Sequence, residues 1–350
     1  MKTFVSGAVE AADHHHVVEM KSLAPASTCF ASTKGLYGMQ IVHRYGPCTP
    51  LGQENPSPDS HHILIKDQAR VRSINSKTSN KYATYDHDGL RTRLAVKAET
   101  FQPHTMTLFG RDIGAGNYIV KAGFGTPKRE FNLIFDTGSD VTWLKCVSNG
   151  GYQPSASSTS TNATCNPGSN YGLLGAGQAG ALSLISQTSS YRDFAQVSVI
   201  VFQDLIALLG ITIGDQRIDI SSKTIMDSGT VITRLPSTVY SALRSTFMKF
   251  MSKYDRASSA KLLDTCYKLK GYGNVTVPTM AIYFAKIKVD LDPSTVIWRV
   301  NDSQVCVAFA GNDDVPDKLT IIGNHQQRTL NVLFNIQDNK VEFGNGGCAN

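Results

Sequence analysis

The sequence predicts a mainly β protein built from two related lobes, and three observations support this prediction. The 350 residues include 29 Gly and 13 Pro, which indicates many turns and favours β structure over helix bundles. From residue 117 onward the chain consists largely of short β-rich runs broken by Gly, Asn and Asp. The tetrad Asp-[ST]-Gly-[ST] occurs twice, at 136–139 and 227–230, each time directly after an apolar run. The repeat indicates a duplicated β lobe.

Composition divides the chain into four segments. Residues 1–36 are expected to be disordered or to be the remnant of a targeting region, and residues 37–115 form a polar, solvated or loosely packed region. The first lobe is assigned to 116–203 and the second to 204–350. No apolar core of signal-peptide length is present near the start, so either the true start is missing or the chain stays in the cytosol; the first is favoured. No run reaches membrane-spanning length.

Individual elements follow from periodicity. The segment HHILIKDQARVRSINSK (61–77) predicts a helix, and so does STVYSALRSTFMKFMSKY (237–254), for which Ser237 is a plausible N-cap. The predicted strands lie in NYIVKAGFG, EFNLIFDTG, ALLGITIGDQRIDI, KTIMDSG, KLTIIGN, TLNVLFNI and KVEFGNG. Both tetrads therefore stand at the ends of strands.

Charge and composition argue against several functions. The formal charge of +6 is spread along the chain, so nucleic acid is not expected as a partner. The tract His14–His16 has no acidic or Cys partner in a compact pattern and is interpreted as disordered, and no Cys/His group has zinc spacing, so no metal is expected.

Seven widely spaced Cys fit disulfides in an oxidising compartment, and their odd number leaves at least one thiol unpaired or paired between chains. Three N-x-[ST] sequons agree with such a compartment, at Asn162, Asn274 and Asn301.

The tetrad has a physical interpretation as a holder for a carboxylate. Gly138 and Gly229 permit a tight turn at the strand end. The hydroxyls of Ser139 and Thr230 can hydrogen-bond the adjacent Asp, and those of Thr137 and Ser228 can reach the opposite loop. If the lobes are related by a pseudo-twofold axis, Asp136 and Asp227 face each other and share one proton, because two carboxylates in contact do not both ionise readily. One copy alone would be compatible with an ordinary turn; two copies favour a paired site.

With these residues in view, the sequence resembles the pepsin-like aspartic proteases, in particular the plant branch that includes nepenthesin and the chloroplast nucleoid DNA-binding type. The resemblance lies in GNYIVKAGFGTPKREFNLIFDTGSDVTWLKC (116–146), GLLGAGQAGALSLISQ (172–187), TIMDSGTVITRLPSTVYSALRSTF (224–247) and LTIIGNHQQRTLNVLFNIQDNKVEFGNGGC (319–348). Upstream, MQIVHRYGPC (39–48) and the 61–77 helix resemble that branch's propeptide.

The resemblance implies a bilobal β fold preceded by a propeptide and an aspartic endopeptidase that hydrolyses polypeptides at acidic pH. It implies Asp136 and Asp227 as catalytic residues, no cofactor, and a location in the secretory pathway, outside the cell or in the vacuole, or in the plastid. A monomer is expected. Two segments of three residues would pack beneath the aspartate loops: Leu173, Leu174 and Gly175, and Ile321, Ile322 and Gly323. Cys266 and Cys306 resemble the second-lobe disulfide, Cys146 and Cys165 could bridge the first lobe, and Cys348 is the candidate for the unpaired thiol.

The first lobe departs from the family pattern. Asp136 and Gly175 are 39 residues apart, whereas Asp227 and Gly323 are 96 apart. In the family the first interval carries a flap whose Tyr closes over the substrate, and neither Tyr152 nor Tyr171 has that context here. The alternative hypothesis is therefore a catalytically impaired, truncated relative that binds peptide or protein or has no function.

Overall fold

The computed structural model describes residues 14–23, 41–49, 59–82, 117–138, 152–160, 195–198, 206–312, 319–335 and 340–345. These residues are mainly β, in one sheet of seven strands, two of four strands and two of two strands. The first five strands are β1 (His15–Glu19), β2 (Ile41–His43), β3 (Tyr118–Phe124), β4 (Arg129–Asp136) and β5 (Ala195–Ser198). The predicted fold class, a mainly β protein with two lobes, is confirmed.

The remaining strands belong to the second lobe. They are β6 (Ile206–Ile213), β7 (Gln216–Met226), β8 (Thr233–Leu235), β9 (Arg256–Ala257), β10 (Cys266–Lys268), β11 (Asn274–Pro278), β12 (Met280–Phe284), β13 (Lys288–Asp290), β14 (Ile297–Asn301), β15 (Gln304–Val307), β16 (Phe309–Gly311), β17 (Leu319–Ile322), β18 (Leu330–Asn335) and β19 (Lys340–Asn345). The helices are α1 (Ser60–Tyr82), α2 (Ser237–Phe250), α3 (Pro293–Val296) and α4 (Asn324–Gln327), with 3₁₀ turns at Met20–Leu23 and Pro154–Ala156.

The first-lobe sheet has the order β2-β3-β4-β5, and its strand β4 ends at Asp136. Strands β3 and β4 are antiparallel, while β5 runs parallel to β4 and pairs Ser198 with Asp136. One face of this sheet buries Val120 and Leu133 against Tyr152. Tyr152, which could not be assigned to a flap from sequence, is thus a core residue of this lobe.

The second-lobe sheet has the order β13-β12-β6-β7-β17-β8-β16, and its strand β7 ends directly before Asp227. Strands β7 and β17 are parallel neighbours, with Ile322 opposite Met226, the residue before Asp227. Alternating burial along β7 places Ile220, Ser222, Thr224 and Met226 on the inner side. The loop that carries Asp227 is therefore fixed by a central strand.

Helix α2 was predicted at nearly the correct bounds, but its predicted cap is wrong. Tyr240, Leu243 and Phe247 recur at helical spacing and are buried in the main core. The N-cap position belongs to Pro236, and Ser237 is the first helical residue, where proline's fixed φ defines the start of the helix.

Helix α1 is confirmed as a helix, longer at both ends than predicted, but its surroundings differ from the solvated region that composition indicated. Leu64 and Val71 are buried. Leu64 packs with Val231 and Ile232, whereas Val71 packs with Ile321. Two charged side chains of α1, Asp67 and Arg70, are not solvated but make ion pairs with residues of the lobes.

Part of the segment expected to be disordered is a strand. Residues of β1 pair antiparallel with β11 over five positions, and Val18 joins the main core. His15 and His16, assigned to a disordered tract, lie in this strand, and the His15 ring stacks edge-on against Phe250. Their structure arises from a partner about 260 positions away, which local composition does not reveal.

No helix in the described part of the chain is long and apolar enough to cross a membrane.

Candidate functional site

Two aspartates from different lobes meet in the interior. Asp136 is the last residue of β4 and Asp227 directly follows β7, and both are almost fully buried. Each carboxyl lies against the glycine of the opposite loop, so the two acids are neighbours. Each also accepts a bond from the glycine two residues later, Gly138 N–H at 3.0 Å and Gly229 N–H at 2.9 Å. The two loops therefore hold their carboxyls in the same way, as an internal repeat requires.

The two loops are joined crosswise by the second residues of the tetrads. The backbone N–H of Thr137 donates to Ser228 Oγ at 3.0 Å, and the N–H of Ser228 donates to Thr137 Oγ1 at 2.9 Å. Each hydroxyl then donates to the opposite strand, Thr137 to the carbonyl of Met226 at 2.8 Å and Ser228 to that of Phe135 at 3.0 Å. The predicted contacts to the opposite loop are present, and they lock the distance between the carboxyls.

The tetrads require glycine at positions 138 and 229 because a side chain there has no room, as well as because of the turn. A side chain at Gly138 would collide with the Asp227 carboxylate, and one at Gly229 would collide with the Asp136 carboxylate. Each glycine thus makes room for the acid from the other lobe.

The fourth residues of the tetrads have different outcomes. Thr230 donates its hydroxyl hydrogen to Asp227 Oδ2, as predicted. Ser139 lies outside the described residues.

Strand β17 supports the second loop from below. The Asp227 N–H donates to the carbonyl of Ile322 at 3.0 Å, and the Gly323 N–H donates to Thr233 Oγ1 at 3.0 Å. Gly323 lies so close to the backbone of Val231 that no side chain fits there. Ile321 is fully buried. The predicted counterparts Leu173, Leu174 and Gly175 lie outside the described residues.

A cation from α1 occupies the space beside both carboxyls. Arg70 Nη2 lies 2.7 Å from Asp136 Oδ1 and 3.4 Å from Asp227 Oδ1. Sequence reasoning found the helix but missed this residue, since nothing in a helical pattern marks one Arg among several.

The electrostatics of Asp227 reflect this cation. Burial acts to raise the pKa of its carboxyl. Two effects oppose burial and prevail, the charge of Arg70 and hydrogen bonds with the surrounding groups, so that the pKa lies below its usual value. Thr230 and the Gly229 N–H donate these hydrogen bonds. With Arg70 in place, Asp227 is held in its ionised form.

A second ion pair anchors α1 one turn earlier. Asp67 accepts from Arg234 Nη2 at 2.6 Å, from the Val231 N–H at 2.5 Å and from the Ile232 N–H at 3.3 Å. The side chains of Asp67 and Arg234 are both fully buried. Asp67 and Arg70 stand three residues apart and so share a helix face.

Further along α1, Asn75 Nδ2 donates to Asn312 Oδ1 at 2.6 Å, and both residues are buried. Helix α1 thus contacts the second lobe at three successive positions, through Asp67, Arg70 and Asn75, of which the middle one reaches the aspartate pair.

Of the predicted disulfides, Cys266–Cys306 is present and cross-links the neighbouring strands β10 and β15. Cys146, Cys165 and Cys348 lie outside the described residues.

Two of the three predicted glycosylation sites can be placed. Asn274 and Asn301 are exposed, on β11 and at the end of β14. Asn162 lies outside the described residues. Glycosylation itself stays a prediction.

No cluster of three or more His, Cys, Asp or Glu that could hold a metal occurs within the described ranges.

Comparison with known proteins places this geometry in a family. Residues 118–169 match the family model Xylanase inhibitor N-terminal, and residues 205–345 match Xylanase inhibitor C-terminal. A lupine seed protein, conglutin gamma, has a solved structure that aligns with 67% of this chain and 93% of its own at a TM-score of 0.47 and 11% identity.

Curated relatives are proteases. Aspartyl protease AED1 of Arabidopsis thaliana is 32% identical over 443 alignment positions, covering 95% of this chain and 92% of that protein. Aspartic proteinase nepenthesin-2 of Nepenthes gracilis is 23% identical, covering 67% of this chain and 79% of that protein. Two related lobes, a paired aspartate site and these relatives lead to one conclusion: the chain belongs to the plant branch of the pepsin-like aspartic protease family.

Proposed function

We propose that the chain is an aspartic endopeptidase in which Asp136 and Asp227 activate water, and that it is made as a precursor with α1 lying across the cleft. The observation that supports this most strongly is the pair of buried carboxyls, one from each lobe, whose loops are bonded to each other by Thr137 and Ser228. Buried carboxyls in contact titrate as a pair and share a proton over part of the acidic range.

The chemistry needs one ionised and one protonated carboxyl. The ionised carboxylate takes a proton from water as the water oxygen attacks the peptide carbonyl carbon, and the protonated carboxyl donates its proton to the carbonyl oxygen. The tetrahedral intermediate then collapses: the carboxyl that took the water proton passes it to the nitrogen, the other carboxylate takes a proton from a hydroxyl of the intermediate, and the C–N bond breaks. Thr137, Ser228 and Thr230 would hold the carboxyls in place, since they bond the two loops or the acid itself.

The precursor form follows from Arg70. Its guanidinium lies where water and the substrate carbonyl would have to be, and it favours two ionised carboxylates over the singly protonated pair that hydrolysis requires. Residues 37–115 would then act as a propeptide, with 116–203 and 204–350 as the lobes of the mature enzyme.

The proposal extends to the compartment, the substrate and the oligomeric state of the enzyme. A disulfide and exposed sequons fit an oxidising compartment, so we place the protein in the secretory pathway, outside the cell or in the vacuole, with the plastid as the alternative. The substrate is polypeptide, and the enzyme acts as a monomer without cofactor or nucleic acid.

A specific observation favours a second function, a catalytically impaired relative that binds peptide or protein. The alignment with AED1 is longer than this chain, so stretches of that protease have no counterpart here. The interval after Asp136 is the short one, and it would carry the flap that excludes water and positions the substrate.

Acid proteolysis separates the two proposals. The full chain is brought to about pH 3–4 and assayed on a denatured protein substrate, with and without a pepstatin-type transition-state inhibitor. Asp227→Asn removes one acid of the pair, and Asp219→Asn, at an exposed position on β7, is its matched control. Inhibitor-sensitive cleavage that is lost only in Asp227→Asn supports the protease. A folded chain that cleaves nothing contradicts it and favours the binding relative.

A further inference from the structure

The immediate surroundings of Arg234 form a compact binding site for a carboxylate. Two backbone N–H groups, of Val231 and Ile232, and the Arg234 Nη2 converge on the two oxygens of Asp67. Arg234 is held in this orientation by its other terminal nitrogen, which donates to the Ile232 carbonyl at 2.9 Å. Three donors aimed at one carboxylate make a site with defined geometry.

The charge of Arg234 determines which kind of group can occupy this site. A guanidinium brings a positive charge, and the Arg234 side chain is fully buried. Within the described residues Asp67 is the one carboxylate that pairs with it. An uncompensated buried charge is strongly unfavourable, so the site calls for an anionic partner whenever α1 is absent.

The position of the site relates it to catalysis. Val231 directly follows the second tetrad, and Asp67 precedes Arg70 by three residues, about one helical turn or roughly 4.5 Å along the axis. An extended peptide advances about 3.3 Å per residue, so a substrate passing the aspartate pair can place a side chain here from within about three residues of the cleaved bond.

The walls around the site are apolar. Leu64 and Ile63 of α1 pack in one cluster with Val231 and Ile232. Departure of the helix would leave an aliphatic surface next to Arg234, which fits an aliphatic peptide segment that carries an acidic side chain.

We propose that Arg234 and the backbone N–H groups of Val231 and Ile232 form a carboxylate-binding subsite of the cleft, filled by Asp67 in the precursor and by an Asp or Glu side chain of the substrate after α1 has left. The substrate part of this proposal rests on the proposed protease function. The carboxylate site itself does not, since it is defined by contacts in the precursor.

The first test uses the precursor and needs no activity. In the full chain, Asp67→Ala removes the internal carboxylate, with Asp67→Asn as the isosteric second variant. Sodium formate is expected to raise the Tm of Asp67→Ala by at least roughly 2 °C more than sodium chloride at equal ionic strength, and to have no such effect on wild type or on Asp67→Asn, whose amide fills the site. The double variant Asp67→Ala/Arg234→Leu is expected to lose this response. The same Tm change with both salts would overturn the site.

The second test measures specificity in the acid-activated full chain. Paired peptides carry Asp or Asn at one of the three positions on either side of the cleaved bond, and kcat/KM is compared at about pH 5, where a free Asp is ionised. At one position wild type is expected to prefer Asp roughly 10- to 100-fold. Arg234→Gln should abolish the preference, Arg234→Lys should keep part of it, and the control Arg217→Gln, at an exposed position, should keep all of it.

The outcomes distinguish the two proposals. Cleavage with equal kcat/KM for Asp and Asn peptides leaves the protease standing and overturns the substrate subsite. Formate rescue without any cleavage supports the carboxylate site and contradicts the protease. Absence of both contradicts both.

Discussion

Single side chains decide the state of this cleft, and Arg70 has the most direct influence. It contacts both carboxyls with one nitrogen, and in the proposed precursor its charge would take the place of the proton that the pair shares in the enzyme. Burial raises the energy of each charge, but the three charges compensate one another in part.

Replacing Arg70 is expected to release the cleft. In Arg70→Gln the helix loses about 1–3 kcal/mol of docking free energy, and the pKa of Asp227 is no longer held below its usual value, so proteolysis should begin at a higher pH than in wild type. The rate of peptide cleavage by freshly prepared precursor between pH 3 and 7 measures this. Arg72→Gln, two residues along the same helix at an exposed position, is the control. An unchanged pH of onset would contradict an inhibitory role of Arg70.

The tetrad glycines lead to a second prediction at the residue scale. Gly229→Ala places a methyl group against the Asp136 carboxylate, which should cost about 1–3 kcal/mol of stability and remove activity, because the loops must separate to make room. Gly273→Ala is the matched control, since nothing lies near its added carbon. Urea unfolding and peptide cleavage of both variants test this. Equal stability of the two variants would show that the loops yield easily.

At the scale of elements, strand β1 lies in a segment whose sequence does not predict a strand. Of its five residues Val18 alone is buried and joins the core, while Val17 remains 68% exposed. The pattern is too short to be distinguished from chance in the sequence, and its meaning comes from β11.

The two valines provide a matched pair. Val18→Asp buries an unpaired carboxylate and is expected to destabilise the protein by more than about 2 kcal/mol, whereas Val17→Asp should leave stability within about 0.5 kcal/mol. Thermal melting of the full chain compares them. Equal Tm values would mean that β1 contributes nothing to the fold in solution.

What the sequence could predict also differs by element. Strand ends, both tetrads, α2 and the Cys266–Cys306 bond were predictable because each carries a local pattern or a known family spacing. The roles of Asp67 and Arg234 were not predictable, because an ion pair between residues 167 positions apart depends on how α1 docks. The polar residues of α1 looked solvated for the same reason.

At the scale of the whole molecule, the docking of α1 depends on pH through two carboxyls, whose pKa values are shifted in opposite directions. The pKa of Asp227 is lowered, so its contribution to docking is present above its usual pKa of about 3.9 and is lost as pH falls through the lowered value. Burial raises the pKa of Asp67, against the opposing effect of Arg234 and two backbone N–H groups, so protonation of Asp67 does not drive release. Acid is therefore expected to act through the aspartate pair.

Hydrogen exchange tests this linkage within one molecule. Amides of α1 should be protected at pH 6–7 and lose protection below about pH 4, after correction for the intrinsic exchange rate, while α2 stays protected throughout. Arg70→Gln should flatten the pH dependence. Protection of α1 that persists at pH 3 would contradict acid release.

The strands on either side of α1 in the sequence have a further consequence. Upstream, β1 is held by β11 and β2 is held by β3; downstream, the next described strand is β3. A single cut between residues 82 and 117 would leave the helix tethered by strands that remain paired with the body, at a local concentration of the order of millimolar. Such a nicked two-chain molecule could still close on itself as pH rises, so that commitment to the active form would come only with a second cut, between β2 and α1.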